Sequence, residues 1–103
     1  MFQLTVLYNH PEDPVAFDKH YTEVHAPLAA KMPGLRRYTY AKPGPGPDGS
    51  QPAYYLVAVL DFDDEAGLGA AMGSEEGQAA SADLPNFAGA GATLLVGPAT
   101  VAT

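Results

Sequence analysis

The chain holds three histidines and six tyrosines that could move protons, and five basic residues that could hold anions; it has no cysteine. Without thiols there are no disulfides, thiolate nucleophiles, iron–sulfur clusters or cysteine-based zinc sites. What remains is acid–base chemistry. An imidazole with a pKa of about 6.5 can take a proton from a carbon acid, while a phenol donates to the oxyanion that develops. Two histidines, His20 and His25, fall within one amphipathic segment, and Tyr38 follows the Pro33-Gly34 turn just beyond it. On a helical wheel the two histidines lie about 70° to either side of the apolar stripe, so helical geometry alone does not choose between them. His25 has an added feature. It stands just before Pro27, whose missing amide frees backbone carbonyls and can open a gap between helix and sheet. If the face of its strand that bears Tyr38 points to the helices, Tyr38 and His25 meet. The plainer reading is that an edge histidine is a hydrogen-bonded boundary residue and that strand tyrosines pack. Arg36 and Arg37 offer bidentate donors to a carboxylate, but neighbours on a strand face opposite ways, so at most one serves a given cleft.

Helix one must carry the histidines. Asp13-Pro14 is a start signal, with a side-chain acceptor at the cap and a proline where no amide is needed. Phe17, Tyr21, Val24 and Leu28 then form a stripe about 60° wide for packing on a sheet. Pro27 predicts a kink or an end near His25, and Met32-Pro33-Gly34 a turn. Before the helix, Phe2 to Tyr8 alternates with the period of a strand. After it, Leu35 to Lys42 reads as strand two. Pro43 to Pro52, with four prolines and three glycines, is a hairpin connection that buries no core and is a candidate lid. Ala53 to Phe62 is apolar on both faces and predicts a central strand covered on both sides. A second helix opens at Asp63 or Asp64, and its glycines predict a break near Gly73-Ser74. Ser81 to Asn86, with Pro85, reads as a loop, and Thr93 to Val96 as the last strand.

The order βαββαβ is that of the ferredoxin-like plait, an α+β fold with helices on one face of an antiparallel sheet. No linker divides residues 1–103, which form a single domain. A chain of 103 residues buries only roughly two thirds of its unfolded surface. With an apolar second sheet face and no third layer, a homodimer is the economical answer, giving a dimeric α+β barrel. No apolar run approaches the roughly 18 residues of a membrane span, and Met1 to Tyr8 reads as a strand rather than a signal peptide, so the cytoplasm is the expected location. A formal charge of -7 repels polyphosphate backbones, so nucleic acid is not an expected partner. His20 and His25 are five apart, not the three or four that converge on one ion, so no metal is expected. Gly67, Gly69 and Gly73 make no dinucleotide fingerprint, and no cofactor is expected.

The residues Phe17-Asp18-Lys19-His20-Tyr21, His25-Ala26-Pro27-Leu28, Met32-Pro33-Gly34-Leu35-Arg36-Arg37-Tyr38 and Asp83-Leu84-Pro85-Asn86-Phe87 together resemble the EthD family over nearly the whole chain. That family takes its name from a gene cluster for degrading ethyl tert-butyl ether. The resemblance implies the barrel shared by muconolactone isomerases, small cofactor-independent monooxygenases and polyketide cyclases, and the label of reductase or oxidoreductase carries no mechanism. In the methylmuconolactone isomerases, which this half resembles, a His and a Tyr at matching positions line the site. The resemblance therefore makes His25 and Tyr38 the candidate catalytic pair, with Tyr21, Arg36 and Tyr40 as candidate substrate contacts. It implies a small hydrophobic, oxygenated ligand such as a lactone, phenol or polyketide. A non-catalytic binding or accessory module built on the same cleft is the alternative.

Overall fold

The alternation in the first eight residues does make a strand. In the computed structural model, which describes residues 1–103, β1 spans Phe2–Tyr8 with Leu4, Val6 and Tyr8 buried and Gln3, Thr5 and Leu7 on the opposite face. It lies between β3 (Leu56–Phe62) and β4 (Ala92–Pro98), while β2 (Arg37–Ala41) closes the far edge of β3. The sheet is antiparallel in the order β2-β3-β1-β4. Its register sets Leu60 opposite both Leu4 and Tyr38, and Tyr8 opposite Leu56 and Ala92. Strand period then puts Tyr8, Tyr38, Tyr40 and Leu60 on one face, beneath the helices.

Asp13 caps α1 (Pro14–His20), accepting from the Ala16 amide at 3.1 Å. The chain then passes through a π-helical turn, Tyr21–His25, before α2 (Ala26–Ala29). The cause is local. Pro27 has no amide to give, and the ladder widens just before it so that the Ala26 amide donates five residues back to the Tyr21 carbonyl. This changes which residues face the sheet. The buried line is Phe17, Tyr21, His25 and Ala29, at steps of four, whereas Val24 is 41% exposed. The stripe expected from a regular helix, through Val24 and Leu28, is thus corrected: the wide turn rotates His25 inward, and the helix neither ends nor breaks there.

Asp64 caps α3 (Glu65–Gly73) and Ser74 caps α4 (Glu75–Phe87), so the break falls at Gly73-Ser74 as the glycines predict. Gly77 makes the corner possible. A Cβ there would lie 2.8 Å from the Met72 Cα and collide with the Ala71 carbonyl. The expected loop from Ser81 to Asn86 is instead helical. Pro85 sits two residues from the end of α4, where its missing amide forfeits only a bond to the carbonyl of exposed Ser81. Strands are also trimmed: β2 starts at Arg37 rather than Leu35, and β3 at Leu56 rather than Ala53. Pro43 to Pro52 is irregular, as expected, with its far end held by His10 Nε2 against the Pro52 carbonyl at 2.8 Å.

Leu4, Val6, Tyr8, Leu56, Ala58, Leu60 and Phe62 meet Phe17, Tyr21, Ala29, Met32, Leu68, Ala71 and Ala80 in one core. The other sheet face has no layer over it. Leu7, Val57 and Val59 are only half-buried there and Leu95 is 52% exposed, so β3 is covered on one side by its own chain, not two. No helix is long and apolar enough to cross a membrane.

Candidate functional site

The π-helical turn delivers His25 to the interior, where it is 6% exposed. Its Nδ1 lies 3.0 Å from Oδ2 of Asp83 on α4, and its Nε2 lies 3.5 Å from the Tyr8 hydroxyl on β1. The chemistry assigns the protons. Burial would raise the Asp83 carboxyl, but bonds from Asn86, His20 and His25 outweigh it and hold the group below its ordinary value. Asp83 is therefore a carboxylate, which only accepts, so the His25 proton sits on Nδ1. Nε2 is left as a lone-pair nitrogen facing Tyr8. Burial lowers the His25 pKa more than Asp83 restores it, which keeps the ring neutral at pH 7. Burial also pushes the Tyr8 phenol far up, so Tyr8 stays protonated and donates. Asp83, His25 and Tyr8 thus form a line of carboxylate, oriented imidazole base and phenol donor.

His20 joins the same carboxylate from the other side, with Nε2 at 2.8 and 3.0 Å from the two Asp83 oxygens, and the Asn86 amide nitrogen donates to Oδ1 at 3.0 Å. One buried carboxylate therefore orients two imidazoles. His20 differs in setting: its ring is stacked on Phe87, at 5.2 Å and 18°, and is partly open to solvent.

Tyr38 does face the helices, yet its hydrogen bond runs to the Tyr21 hydroxyl at 2.6 Å and not to His25. Helix one places Tyr21 one turn before His25, so Tyr21 takes the position between them; its ring touches His25 at 5.3 Å, Tyr8 at 5.6 Å and Tyr40 at 4.8 Å. Burial raises the pKa of both Tyr21 and Tyr38, so both are neutral phenols. Tyr38 is a second-rank neighbour of His25 reached through Tyr21. Arg36 lies elsewhere. It is an exposed residue that grips Asp63 with two hydrogen bonds of 2.9 and 2.6 Å.

Three clefts surround these groups. His25 and Tyr8 line a narrow apolar one of about 40 Å³, between Leu4, Val6, Met32, Leu84 and Leu94. Tyr21 and Tyr40 line another of about 300 Å³, with Lys42 at its edge. A third, of about 540 Å³, lies outside His20 and Phe87.

Asp83 and Tyr8 are the members that sequence reasoning did not assign. Tyr8 had a signal, since it alternates in phase with Leu4 and Val6 on the face that meets helix one. Asp83 had one too, as the first residue of Asp83-Leu84-Pro85-Asn86-Phe87, but reading that run as a loop left its side chain without a direction.

The model of a family described as the EthD domain matches residues 9–91. An uncharacterized 11.0 kDa protein in the thcB–thcC intergenic region of Rhodococcus erythropolis is 44% identical over 95 residues, covering 92% of this chain and 91% of its own. Among solved structures, an ethyl tert-butyl ether D (EthD) family protein from Bacillus halodurans C-125 superposes with a TM-score of 0.91 at 40% identity, over 97% of this chain and 99% of that one. A dimeric ferredoxin-like protein of unknown function from Thermobifida fusca YX gives a TM-score of 0.68 at 19% identity, over 92% and 87% of the two chains. The fold is thus α+β and ferredoxin-like, with its helices on one face of an antiparallel sheet.

Proposed function

The chain belongs to the EthD family, and from that premise we propose that it is an acid–base enzyme, working without a cofactor on a small, largely apolar oxygenated molecule. His25 is the base, Asp83 orients it, and the Tyr8 hydroxyl turns from Nε2 as substrate enters and donates to the oxyanion, with the hydrogen-bonded hydroxyls of Tyr21 and Tyr38 close by. The observation that carries this reading is the buried contact of 3.0 Å between Asp83 Oδ2 and His25 Nδ1. A carboxylate in that place fixes the tautomer and leaves Nε2 poised to abstract a proton. Such a step serves isomerisation, cyclisation or enolisation of a lactone, phenol or polyketide-like substrate. It also serves an oxygenase in which the deprotonated substrate itself reacts with oxygen, which is how the oxidoreductase label of the family fits this site.

The experiment is proton exchange rather than a guessed turnover. A panel of small lactones, phenols and enolisable ketones is incubated with the protein in D2O and read by mass spectrometry. At least one compound should gain deuterium at carbon. His25→Asn should slow that exchange by about 10²- to 10⁴-fold and Tyr8→Phe by a smaller factor, whereas Arg36→Ala should leave it unchanged. Exchange that survives His25→Asn contradicts the assignment.

The narrowness of the cleft beside His25, about 40 Å³, favours a second reading, a binding or accessory module in which His25 and Asp83 are a structural pair. Exchange by no compound of the panel, together with tight binding of one of them, supports that module.

The same proposal includes a homodimer through the open sheet face. Leu7, Val57, Val59 and Leu95 lie on that face without a covering layer. Asp61 lies there as well, 8% exposed, with one carboxylate oxygen lacking any partner in its own chain. A second copy supplies both apolar cover and polar partners.

A further inference from the structure

The reading of His25 as a base leaves a mismatch of volumes. The cleft that touches His25 measures about 40 Å³, room for a few waters but not for an organic substrate. The cleft of about 540 Å³ falls in the range of ligand sites, yet it touches His20 and Asn86 rather than His25. What stands between them is Phe87. This ring lines the large cleft, stacks on His20 at 5.2 Å, and on its inner side meets His25 at 4.6 Å and Tyr8 at 5.7 Å.

Phe87 is also placed to move. It is the last residue of α4, two residues after Pro85, and Gly89 and Gly91 follow in the turn to β4. The proline removes one backbone bond from the final turn, so the helix end that carries Phe87 is less firmly held than its middle; the half-buried ring itself packs on Tyr8, Phe17, Tyr21 and His25, so it opens only rarely.

We propose, building on the acid–base reading, that the large cleft is the substrate's binding site, that it takes an uncharged hydroxylated aromatic or conjugated molecule, and that Phe87 is the wall that swings to admit it to His25. The chemistry of the walls selects that class. Phe17, Phe87 and His20 give flat aromatic surfaces. Asn86 spends its amide nitrogen on Asp83, so its side-chain carbonyl is free to accept, and the neutral form of His20, donating from Nε2 to Asp83, leaves Nδ1 as an acceptor. Glu12 and Asp13 stand on the rim. The cleft thus accepts hydrogen bonds and repels anions, which suits a phenol and not a carboxylate.

The test reads access to each histidine and needs no turnover, so it can fail while the base assignment stands. Diethyl pyrocarbonate modification is followed site by site by mass spectrometry, with exposed His10 as internal reference. His25 should react at least about tenfold more slowly than His20, because a buried group reacts through its rare open state. Phe87→Ala should raise the His25 rate about tenfold or more, with circular dichroism showing a folded chain, and the milder Phe87→Leu should raise it about threefold. Leu94→Ala, which widens the narrow cleft instead, should leave it unchanged. 1-Naphthol should protect His20, and 1-naphthoate should not. An unchanged His25 rate in folded Phe87→Leu, a faster one in Leu94→Ala, or equal protection by naphthoate overturns the proposal.

Discussion

A buried neutral imidazole leaves a mark on stability that can be read without knowing any substrate. Burial lowers the His25 pKa from its ordinary 6.5. Between that lowered value and 6.5 the unfolded chain binds a proton that the folded one refuses, so folding stability rises with pH across this window and is complete above it. As the pH falls from 6.5 the stability is lost. Asp83 acts lower down. Its folded pKa is held below the ordinary 3.8, so its contribution is present above 3.8 and vanishes as the pH falls through the depressed value. Melting temperature followed from about pH 8 to about pH 4.5 should therefore decline on the acid side, and His25→Asn should flatten that decline. An equal slope in both proteins would place the titration elsewhere.

At the scale of elements, the site depends on an irregularity. A regular helix through Tyr21 would turn Val24 toward the sheet and His25 to its edge; the π-helical turn exchanges them. That gives a direct check by urea denaturation. Val24→Lys should change stability by no more than about 0.5 kcal/mol, as a surface substitution. Ala29→Leu, forced into the packed line, should cost about 1–3 kcal/mol. The reverse ranking would mean the helix is regular. The same turn explains what the sequence could tell. Alternation in Phe2–Tyr8, the caps at Asp13 and Asp64 and the break at Gly73-Ser74 are local signals, each written in two or three neighbouring residues, and all were legible. The pairing of His25 was not, because it depends on how the ladder adjusts to Pro27 and on whether Pro85 stops a helix or rides in its last turn. Both outcomes are set by packing. Reading Ser81 to Asn86 as a loop hides Asp83, and Tyr38 looks like the natural partner of His25 because nothing local shows that Tyr21 reaches its hydroxyl first.

For the whole molecule, the open sheet face is the feature that the single chain leaves unfinished. Sedimentation equilibrium at micromolar concentration should give a dimer, and Val59→Arg, at the centre of that face, should give a folded monomer of lower melting temperature. A wild-type monomer would contradict the interface. At the centre of the molecule, His25 is a neutral imidazole whose proton is held on Nδ1 by Asp83. Long-range proton–nitrogen NMR of the imidazole tests it most directly. At neutral pH the spectra should show the Nδ1–H tautomer for His25, a pKa below 6.5, and loss of that tautomeric preference in Asp83→Asn. A protonated ring, or an Nε2–H tautomer indifferent to Asp83, would contradict it.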